Sequence, residues 1–189
     1  MMKKYLLATL VAFTMIGTAS ATEVSVEGQR WDGKKGDANQ TAGQLMVKQD
    51  VTKNFSADLS VTQNVVDNTN ALSTRLELGS TGQYAFVPGV SAYVRGAVGE
   101  KYTNTTNFGY YSVEPGVVAD VANTGAKVSL GWRYRDSFND SNINKDQTRT
   151  WRSKVSYDVT KVDTVYVGYD NMRGDQRADI WRVGYTRSF

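Results

Sequence analysis

The sequence has no cysteine and no histidine, and it has only two prolines among its 189 residues. Without cysteine the chain forms no disulfide, so its stability has to come from packing or from a lipid environment. The mean hydropathy is −0.44, and beyond the N-terminus no apolar run is long enough for a transmembrane helix. These absences exclude a helical membrane protein and a disulfide-linked secreted domain.

The one long apolar run lies at the N-terminus. Lys3 and Lys4 precede an apolar stretch at residues 5–16, and Ala-Ser-Ala at 19–21 is a small-residue cleavage site. The run is too short to cross a membrane comfortably, and no stop-transfer charges follow it. We therefore predict a signal peptide over residues 1–21 and a single mature domain over residues 22–189.

The charge of the mature domain is close to zero. The full chain has 22 Lys and Arg against 19 Asp and Glu, and removal of Lys3 and Lys4 leaves 20 against 19. A pI near 9.0 therefore gives no reason to expect nucleic acid as a partner.

Apolar and polar residues alternate along the whole mature chain. In residues 55–65 the odd positions are apolar, except for Gln63, and the even positions are polar. The same period of two recurs in residues 72–78, 128–135 and 151–159. Each such stretch is predicted to be a β-strand with one apolar and one polar face.

Two features favour a transmembrane barrel over a soluble sandwich, which also alternates. The polar faces carry many charges, which a sandwich core about 10 Å thick cannot bury. Aromatic residues gather near strand ends, as in the girdles at the two interfaces of a membrane. We predict an all-β, antiparallel up-and-down transmembrane β-barrel. The aromatic residues of the predicted girdles are Trp31, Phe55, Tyr84, Phe86, Tyr102, Phe108, Tyr110, Tyr111, Phe138, Trp151, Trp181, Tyr185 and Phe189.

The pattern predicts about ten strands, each near the ~9–11 residues that cross a membrane on a tilted path. Residues 52–54 and 160–163 would be short periplasmic turns, and residues 32–40 and 138–147 longer outer loops. Residues 80–89 are long for a periplasmic turn, so either the fourth strand extends further or the strand number is eight or twelve. The predicted strands are 22–31, 41–51, 55–66, 71–79, 90–102, 108–118, 126–137, 148–159, 164–171 and 180–189.

The C-terminal nonapeptide WRVGYTRSF resembles the insertion signal of Gram-negative outer-membrane barrels, whose last strand closes against the first. Phe189 is terminal, Gly184 lies inside the strand, and Tyr185 shares the lipid-facing phase. The resemblance implies that these three residues are an assembly signal for the barrel-assembly machinery and that the chain resides in the outer membrane. Arg187 departs from the pattern, at a rim position where an arginine can reach water.

The missing histidine also argues against catalysis. Outer-membrane enzymes of this size resemble one another in needing a histidine as base or partner, so the barrel is predicted not to be an enzyme. Metal ligation would rest on oxygen ligands alone, and residues 136–140 lack a calcium-loop pattern. No catalytic residue, metal or cofactor is predicted.

The charged residues in the inward phase are the candidate functional residues. Arg133 and Arg135 lie on one strand, and Arg152 and Lys154 lie on its neighbour, so the four would form a cationic wall. Guanidinium groups bind carboxylates bidentately, and such a wall attracts anions. An internal salt-bridge network that closes the lumen is the alternative. The full predicted track is Arg75, Arg95, Arg133, Arg135, Arg152, Lys154 and Arg182.

The stretches LGWRYRD at residues 130–136 and WRSK at 151–154 resemble the oligogalacturonate-specific porin family, small monomeric porins for acidic oligosaccharides. The similarity extends over roughly residues 126–189. It implies twelve strands with basic residues along the lumen, and it implies that Arg133, Arg135, Arg152 and Lys154 line a pore.

Two functional hypotheses follow. The first is an outer-membrane diffusion channel that favours small anionic solutes, acidic sugars among them. The second is a closed structural or surface-interaction barrel whose loops contact something outside the cell. Short, polar outer loops favour the channel. A monomer surrounded by outer-membrane lipids is expected in either case.

Overall fold

The computed structural model describes residues 23–122, 124–138 and 146–189, so the predicted signal peptide lies outside the described residues. Within them, every regular element is a β-strand, and no helix is long and apolar enough to cross a membrane. The ten strands are β1 (Glu23–Gly33), β2 (Gln40–Thr52), β3 (Phe55–Val66), β4 (Leu72–Val87), β5 (Val90–Tyr102), β6 (Asn107–Val121), β7 (Ala126–Ser137), β8 (Thr148–Asp158), β9 (Asp163–Gly174) and β10 (Ala178–Ser188).

The strands form a closed barrel. Each strand pairs antiparallel with the next, and β10 closes on β1 in a register that runs from Glu23 opposite Ser188 to Gly33 opposite Ala178. Closure satisfies the backbone groups of both terminal strands, as a lipid environment requires. The predicted up-and-down barrel of ten strands is confirmed, whereas the twelve strands that the family resemblance implies are not found.

The uncertain stretch at residues 80–89 is mostly strand. β4 continues to Val87, opposite Val90 of β5, and the turn consists of Pro88 and Gly89. Gly89 has a φ of +77°, which a residue without a Cβ adopts easily. The alternation was hidden because small residues such as Gly82 and Ala85 occupy both phases of the strand.

The two ends of the barrel differ in the length of their connections. The end where Glu23 and Ser188 lie has the connections 53–54, 88–89, 122–125 and 159–162. The opposite end has the longest connection, residues 138–147, of which 139–145 lie outside the described residues. Short periplasmic turns and longer extracellular loops are the rule in outer-membrane barrels. We therefore name the end where Glu23 and Ser188 lie the periplasmic end and the opposite end the outer end.

The outside of the barrel is an apolar surface. Its aliphatic residues are exposed although they are hydrophobic, as expected for a face that contacts lipid. A concave part of this face, with a volume of about 1850 Å³, is lined mainly by aliphatic side chains such as Val26, Leu45 and Val61. It is a lipid-facing surface and lies outside the lumen.

Three aromatic residues of the predicted girdles instead face the lumen. Trp31, Phe108 and Tyr110 are only 3, 8 and 1% exposed. Residues an even number apart on a strand share a face. Trp31 lies four residues after the buried Glu27, and Tyr110 lies four residues before the buried Glu114, so both belong to the inward phase. The prediction used their position near strand ends, whereas the phase decides which side of the wall they occupy.

Glycines on the inner wall make room for tyrosine rings. A Cβ built on Gly99 would overlap the Tyr110 ring, and one built on Gly184 would overlap the Tyr166 ring. Tyr93 lies in the same way against Gly116 and Gly131, one strand and two strands away along the sheet. The rings therefore lie flat along the wall.

Candidate functional site

All seven cations of the predicted track lie in the inward phase of their strands. Arg95, Arg135, Arg152 and Arg182 form ion pairs. Arg75, Arg133 and Lys154 form none with any residue that the structure describes. The residues of the track, by strand, are Arg75 on β4, Arg95 on β5, Arg133 and Arg135 on β7, Arg152 and Lys154 on β8, and Arg182 on β10.

One chain of ion pairs runs along the wall from β1 to β6. Arg182 Nη1 lies 3.3 Å from Glu27 Oε2, and its Nη2 lies 2.7 Å from Asp170 Oδ1. Arg152 Nε lies 3.1 Å from Asp170 Oδ2, and its Nη1 lies 2.7 Å from Glu114 Oε2. Each of the three carboxylates therefore has an arginine within hydrogen-bond distance, which offsets part of the cost of burying its charge.

A second cluster lies on β3, β4 and β5. Arg95 binds Asp58 through two N–H groups, with Nη2 at 2.6 Å from Oδ1 and Nε at 3.1 Å from Oδ2. The same Nη2 lies 2.7 Å from Glu77 Oε1. The Tyr110 hydroxyl donates to Glu77 Oε2 at 3.1 Å. This cluster and the first chain together involve strands on most of the circumference.

These ion pairs follow the wall and do not cross the lumen. Each joins strands that are neighbours or next neighbours in the barrel, whereas opposite walls are half a barrel apart. The Arg152 side chain is 21% exposed, and those of Arg95 and Glu77 are each 13% exposed. The middle of the lumen therefore retains water-accessible space.

Two cations in this region have no carboxylate partner among the described residues. Arg133 has a buried Nε without a hydrogen-bond partner there. Lys154 Nζ lies 5.2 Å from the centre of the Tyr166 ring, a cation–π contact that leaves the ammonium charge uncompensated. Both side chains are partly exposed, and they keep positive charge along the β7–β8 wall.

A cavity of about 440 Å³, which we name the vestibule, lies inside the periplasmic end. Its lining carries charges of both signs, including Lys48, which lies 3.1 Å from Glu23, and Lys127, which lies 3.1 Å from Asp158. Lys154 and Tyr166 also line it. The vestibule therefore connects the rim to the lowest cation of the predicted track.

The outer end of the lumen is filled by side chains. Asp146, which precedes β8, extends inwards, and its Oδ1 lies 2.9 Å from Arg135 Nη2 and 3.9 Å from Lys101 Nζ. The side chain of Asp146 is 0% exposed and that of Arg135 is 2% exposed. The largest fully buried side chains of the described residues also include Asn64, Tyr110, Thr148, Thr150, Met172 and Ile180.

Asp146 was not among the predicted site residues, because it falls in the predicted outer loop at residues 138–147. The inward phase of β8 contains Thr148, Thr150 and Arg152, and Asp146 continues this phase back by one step. That continuation is the signal that could have identified it. Burial favours a raised pKa for Asp146, but the nearby charges of Arg135, Lys101 and Arg75 hold its pKa below the ordinary value. Asp146 is therefore ionised at neutral pH.

The predicted assembly residues lie at the periplasmic rim on β10 and just beyond it. Gly184 faces the lumen against Tyr166, and Tyr185 faces outwards, where its hydroxyl donates to Asp163. Phe189 is 77% exposed. Arg187, which departs from the signal pattern, has a partner because its Nη1 lies 3.4 Å from Asp163 Oδ1.

The arrangement suits electrostatic handling of a solute better than covalent chemistry. Within the described part of the chain, no three Asp or Glu side chains are grouped so that they could hold a metal ion. The lumen instead combines carboxylates bound by arginines with cations that have no carboxylate partner among the described residues. Such cations attract anions in a narrow aqueous space.

No family model matches the sequence, and no curated protein matches it. Solved structures do match. The KdgM porin is similar with a TM-score of 0.54 at 16% identity, over 89% of this chain and 99% of that one. The NanC porin is similar with a TM-score of 0.59 at 11% identity, over 88% of this chain and 100% of that one. A KdgM porin in complex with disordered oligogalacturonate gives 0.51 at 13% identity, over 88% of this chain and 99% of that one.

The protein is a transmembrane β-barrel. Its closed antiparallel sheet, its apolar outer face and the fold that it shares with the KdgM and NanC porins agree on this. Identities of this size establish the fold alone. The suspected resemblance to small porins of the outer membrane is therefore confirmed at the level of architecture.

Proposed function

We propose that this barrel is an outer-membrane channel that favours small anionic solutes, with acidic sugars as the solute class. The main observation in support is the order of four cations along the β7–β8 wall. Lys154, Arg152, Arg133 and Arg135 occupy successive inward positions on two paired strands, from the vestibule towards the outer end. Successive inward positions on a strand are about 7 Å apart, so an anion would pass from one cation to the next.

The cations without a carboxylate partner would supply the selectivity. At an effective dielectric constant near 20, a unit charge 4 Å from a cation gains about 4 kcal/mol of Coulomb energy. Arg133 and Lys154 can offer such a gain to a passing anion, because no described carboxylate lies within ion-pair distance of either. Arg152 is already bound to Glu114 and Asp170 and would contribute less.

The structural comparisons support the choice of solute. One similar structure is described as a porin in complex with oligogalacturonate, a polymer of acidic sugars. Carboxylates match guanidinium groups in charge and in bidentate geometry. The diameter of a barrel grows with its strand number, so this barrel of ten strands is narrower than one of the twelve strands that the family resemblance implies. The smaller diameter favours small solutes over long oligomers.

A second candidate function is a closed structural barrel, and the filled outer end favours it. The side chains of Asp146 and Arg135 have almost no accessible surface there. In this case the ion pairs along the wall would serve stability, and nothing would pass. The two candidates differ in one measurable property, which is uptake of solute.

Proteoliposomes provide the test. We expect galacturonate to enter faster than galactose, which has a similar size and no charge. Arg133→Gln should reduce this difference, and Arg30→Gln, which removes an arginine pointing outwards at the outer rim, should leave it unchanged. Equal rates for the two sugars would contradict the anion preference. Absence of uptake for both would favour the closed barrel.

Passage and not catalysis is proposed, in line with the lack of histidine. We further propose that the barrel acts as a monomer surrounded by outer-membrane lipids and that the barrel-assembly machinery inserts it. The closed sheet leaves no unpaired edge strand that would call for a second copy.

A further inference from the structure

We propose that Asp146 is a tethered anion that occupies a carboxylate-binding site at the outer end of the lumen and closes the lumen there. A solute carboxylate would bind in its place. This inference rests on the proposed function in one respect, because it treats the solute as the competitor of Asp146. The site itself follows from the residues that surround this carboxylate.

Three cations from three strands converge on Asp146. Arg135 on β7 lies 2.9 Å from Oδ1, and Lys101 on β5 lies 3.9 Å from the same atom. Arg75 on β4 is close enough to contribute to the electrostatic stabilisation of the charged Asp146. Three cations from different parts of the wall around one anion form a binding site for a carboxylate.

Among the described residues, the positive charge of this site exceeds the negative charge. Asp146 is the one described carboxylate bound by these three cations, and its Oδ2 has no hydrogen-bond partner among the described residues. Glu77 also acts electrostatically on Arg75 and Arg135, but it is bound by Arg95. The site thus retains an excess of cations, which an entering carboxylate would find attractive.

Aromatic rings hold the cations in place independently of Asp146. Arg75 Cζ lies 5.3 Å from the ring centre of Trp31, Lys101 Nζ lies 5.5 Å from that of Phe108, and Arg135 Cζ lies 5.5 Å from that of Tyr110. Cation–π contacts of this kind fix the position of a cation while leaving its charge available. The site should therefore persist when Asp146 is displaced or removed.

The tether explains how one carboxylate can close the lumen without blocking it permanently. Asp146 is joined to β8 at Thr148, so it stays near the site at an effective concentration on the order of millimolar. A free carboxylate at a similar concentration can compete with it, whereas a neutral sugar cannot. Closure would therefore depend on the solute.

Trp31 gives a direct readout in detergent, without any transport. It is buried beside Arg75, whereas Trp132, Trp151 and Trp181 lie in the outward phase. We expect Asp146→Asn to raise quenching of Trp31 by iodide at least ~3-fold, after subtraction of the matching Trp31→Phe signal. Galacturonate should compete with iodide, and galactose should not. Asp32→Asn, which removes an outward carboxylate at the same end, should change nothing.

Unchanged iodide quenching in Asp146→Asn would overturn the inference. An equal rise with the neutral quencher acrylamide would also overturn it, because it would indicate a loosened barrel without an anion site. The wild-type protein provides a test that does not depend on the folding of the variant. Millimolar galacturonate should shift Trp31 emission, galactose should not, and equal responses to both sugars would contradict the site.

Iodide quenching and galacturonate uptake separate the anion site at Asp146 from the channel. Iodide access in Asp146→Asn without galacturonate uptake in any liposome would leave the anion site in place and remove the channel. Galacturonate uptake by the wild type, without a gain of iodide access in Asp146→Asn, would keep the channel and remove the role of Asp146.

Discussion

The ring of Tyr110 on β6 fills the space left by Gly99 on β5, and its hydroxyl donates to Glu77 Oε2 at 3.1 Å. A Cβ on Gly99 would overlap both this ring and the backbone carbonyl of Leu76. The carbonyl cannot move without disturbing the sheet. Packing of the Tyr110 ring against Gly99 therefore helps to position Glu77 and its ion-pair cluster.

Gly99→Ala should destabilise the barrel by ~1–3 kcal/mol, because overpacking forces side chains and backbone to shift. Gly96→Ala is the matched control on the same strand, since a Cβ there meets nothing within 4 Å. The midpoint of urea unfolding, followed by heat-modifiable migration on gels, measures the difference. Equal midpoints for the two variants would show that the Tyr110 ring moves aside without cost.

Arg152→Gln should be more destabilising than Arg133→Gln. Loss of Arg152 removes a partner from both Glu114 and Asp170, and breaking a buried ion pair typically costs ~3–5 kcal/mol. Arg133 has no such partner among the described residues, so its replacement should change stability by less than ~1 kcal/mol. Unfolding in urea compares the two variants, and the reverse order of stability would contradict the assignment of their partners.

Deletion of Phe189 should impair assembly, because the closing strand loses its terminal signal. The amount of folded protein in the outer membrane, judged by heat-modifiable migration, measures this effect. Phe55→Ala is the control, since Phe55 is another exposed aromatic residue at the periplasmic end of a strand. Normal levels of the deletion variant would make the C-terminal resemblance incidental.

The stabilising contribution of Asp146 should depend on pH in a predictable direction. Its pKa is lowered in the folded protein by Arg135, Lys101 and Arg75, which outweigh the effect of burial. A lowered pKa means that the contribution is complete above the unfolded pKa, near 3.9, and is lost as pH falls through the folded pKa. The difference in melting temperature between wild type and Asp146→Asn should therefore be constant from pH 7 to 5 and shrink below about 4. A difference that grows on acidification would contradict the ion pair.

The sequence was sufficient to predict the barrel and the side of the wall on which each cation lies, and it predicted about ten strands with eight and twelve left open. A period of two reports the phase directly, so the inward direction of Arg133 or Arg182 follows from the pattern alone. The ion-pair partners of these cations could not be predicted from the sequence. Arg152 reaches Glu114 across β7, where Gly131 has no side chain in the way, and such a contact depends on strand twist and ring packing.

The outer end was the least predictable part of the candidate site. Asp146 precedes its strand and was grouped with polar loop residues, although it keeps the inward phase of β8. Trp31 and Tyr110 were assigned to the membrane girdles for a similar reason, because aromatic residues near strand ends occur on both sides of the wall. In both cases the phase of the strand, extended to its end, carries the missing information.

Current through single barrels in a planar bilayer with a salt gradient tests directly whether the lumen passes anions. We expect a reversal potential that shows anion preference for the wild-type protein, and the same preference with a larger conductance for Asp146→Asn. Arg133→Gln should move the reversal potential towards zero while the barrel remains folded, because substitutions in the lumen tune selectivity more than insertion. A preference for cations, or the absence of conductance in both the wild type and Asp146→Asn, would contradict the account.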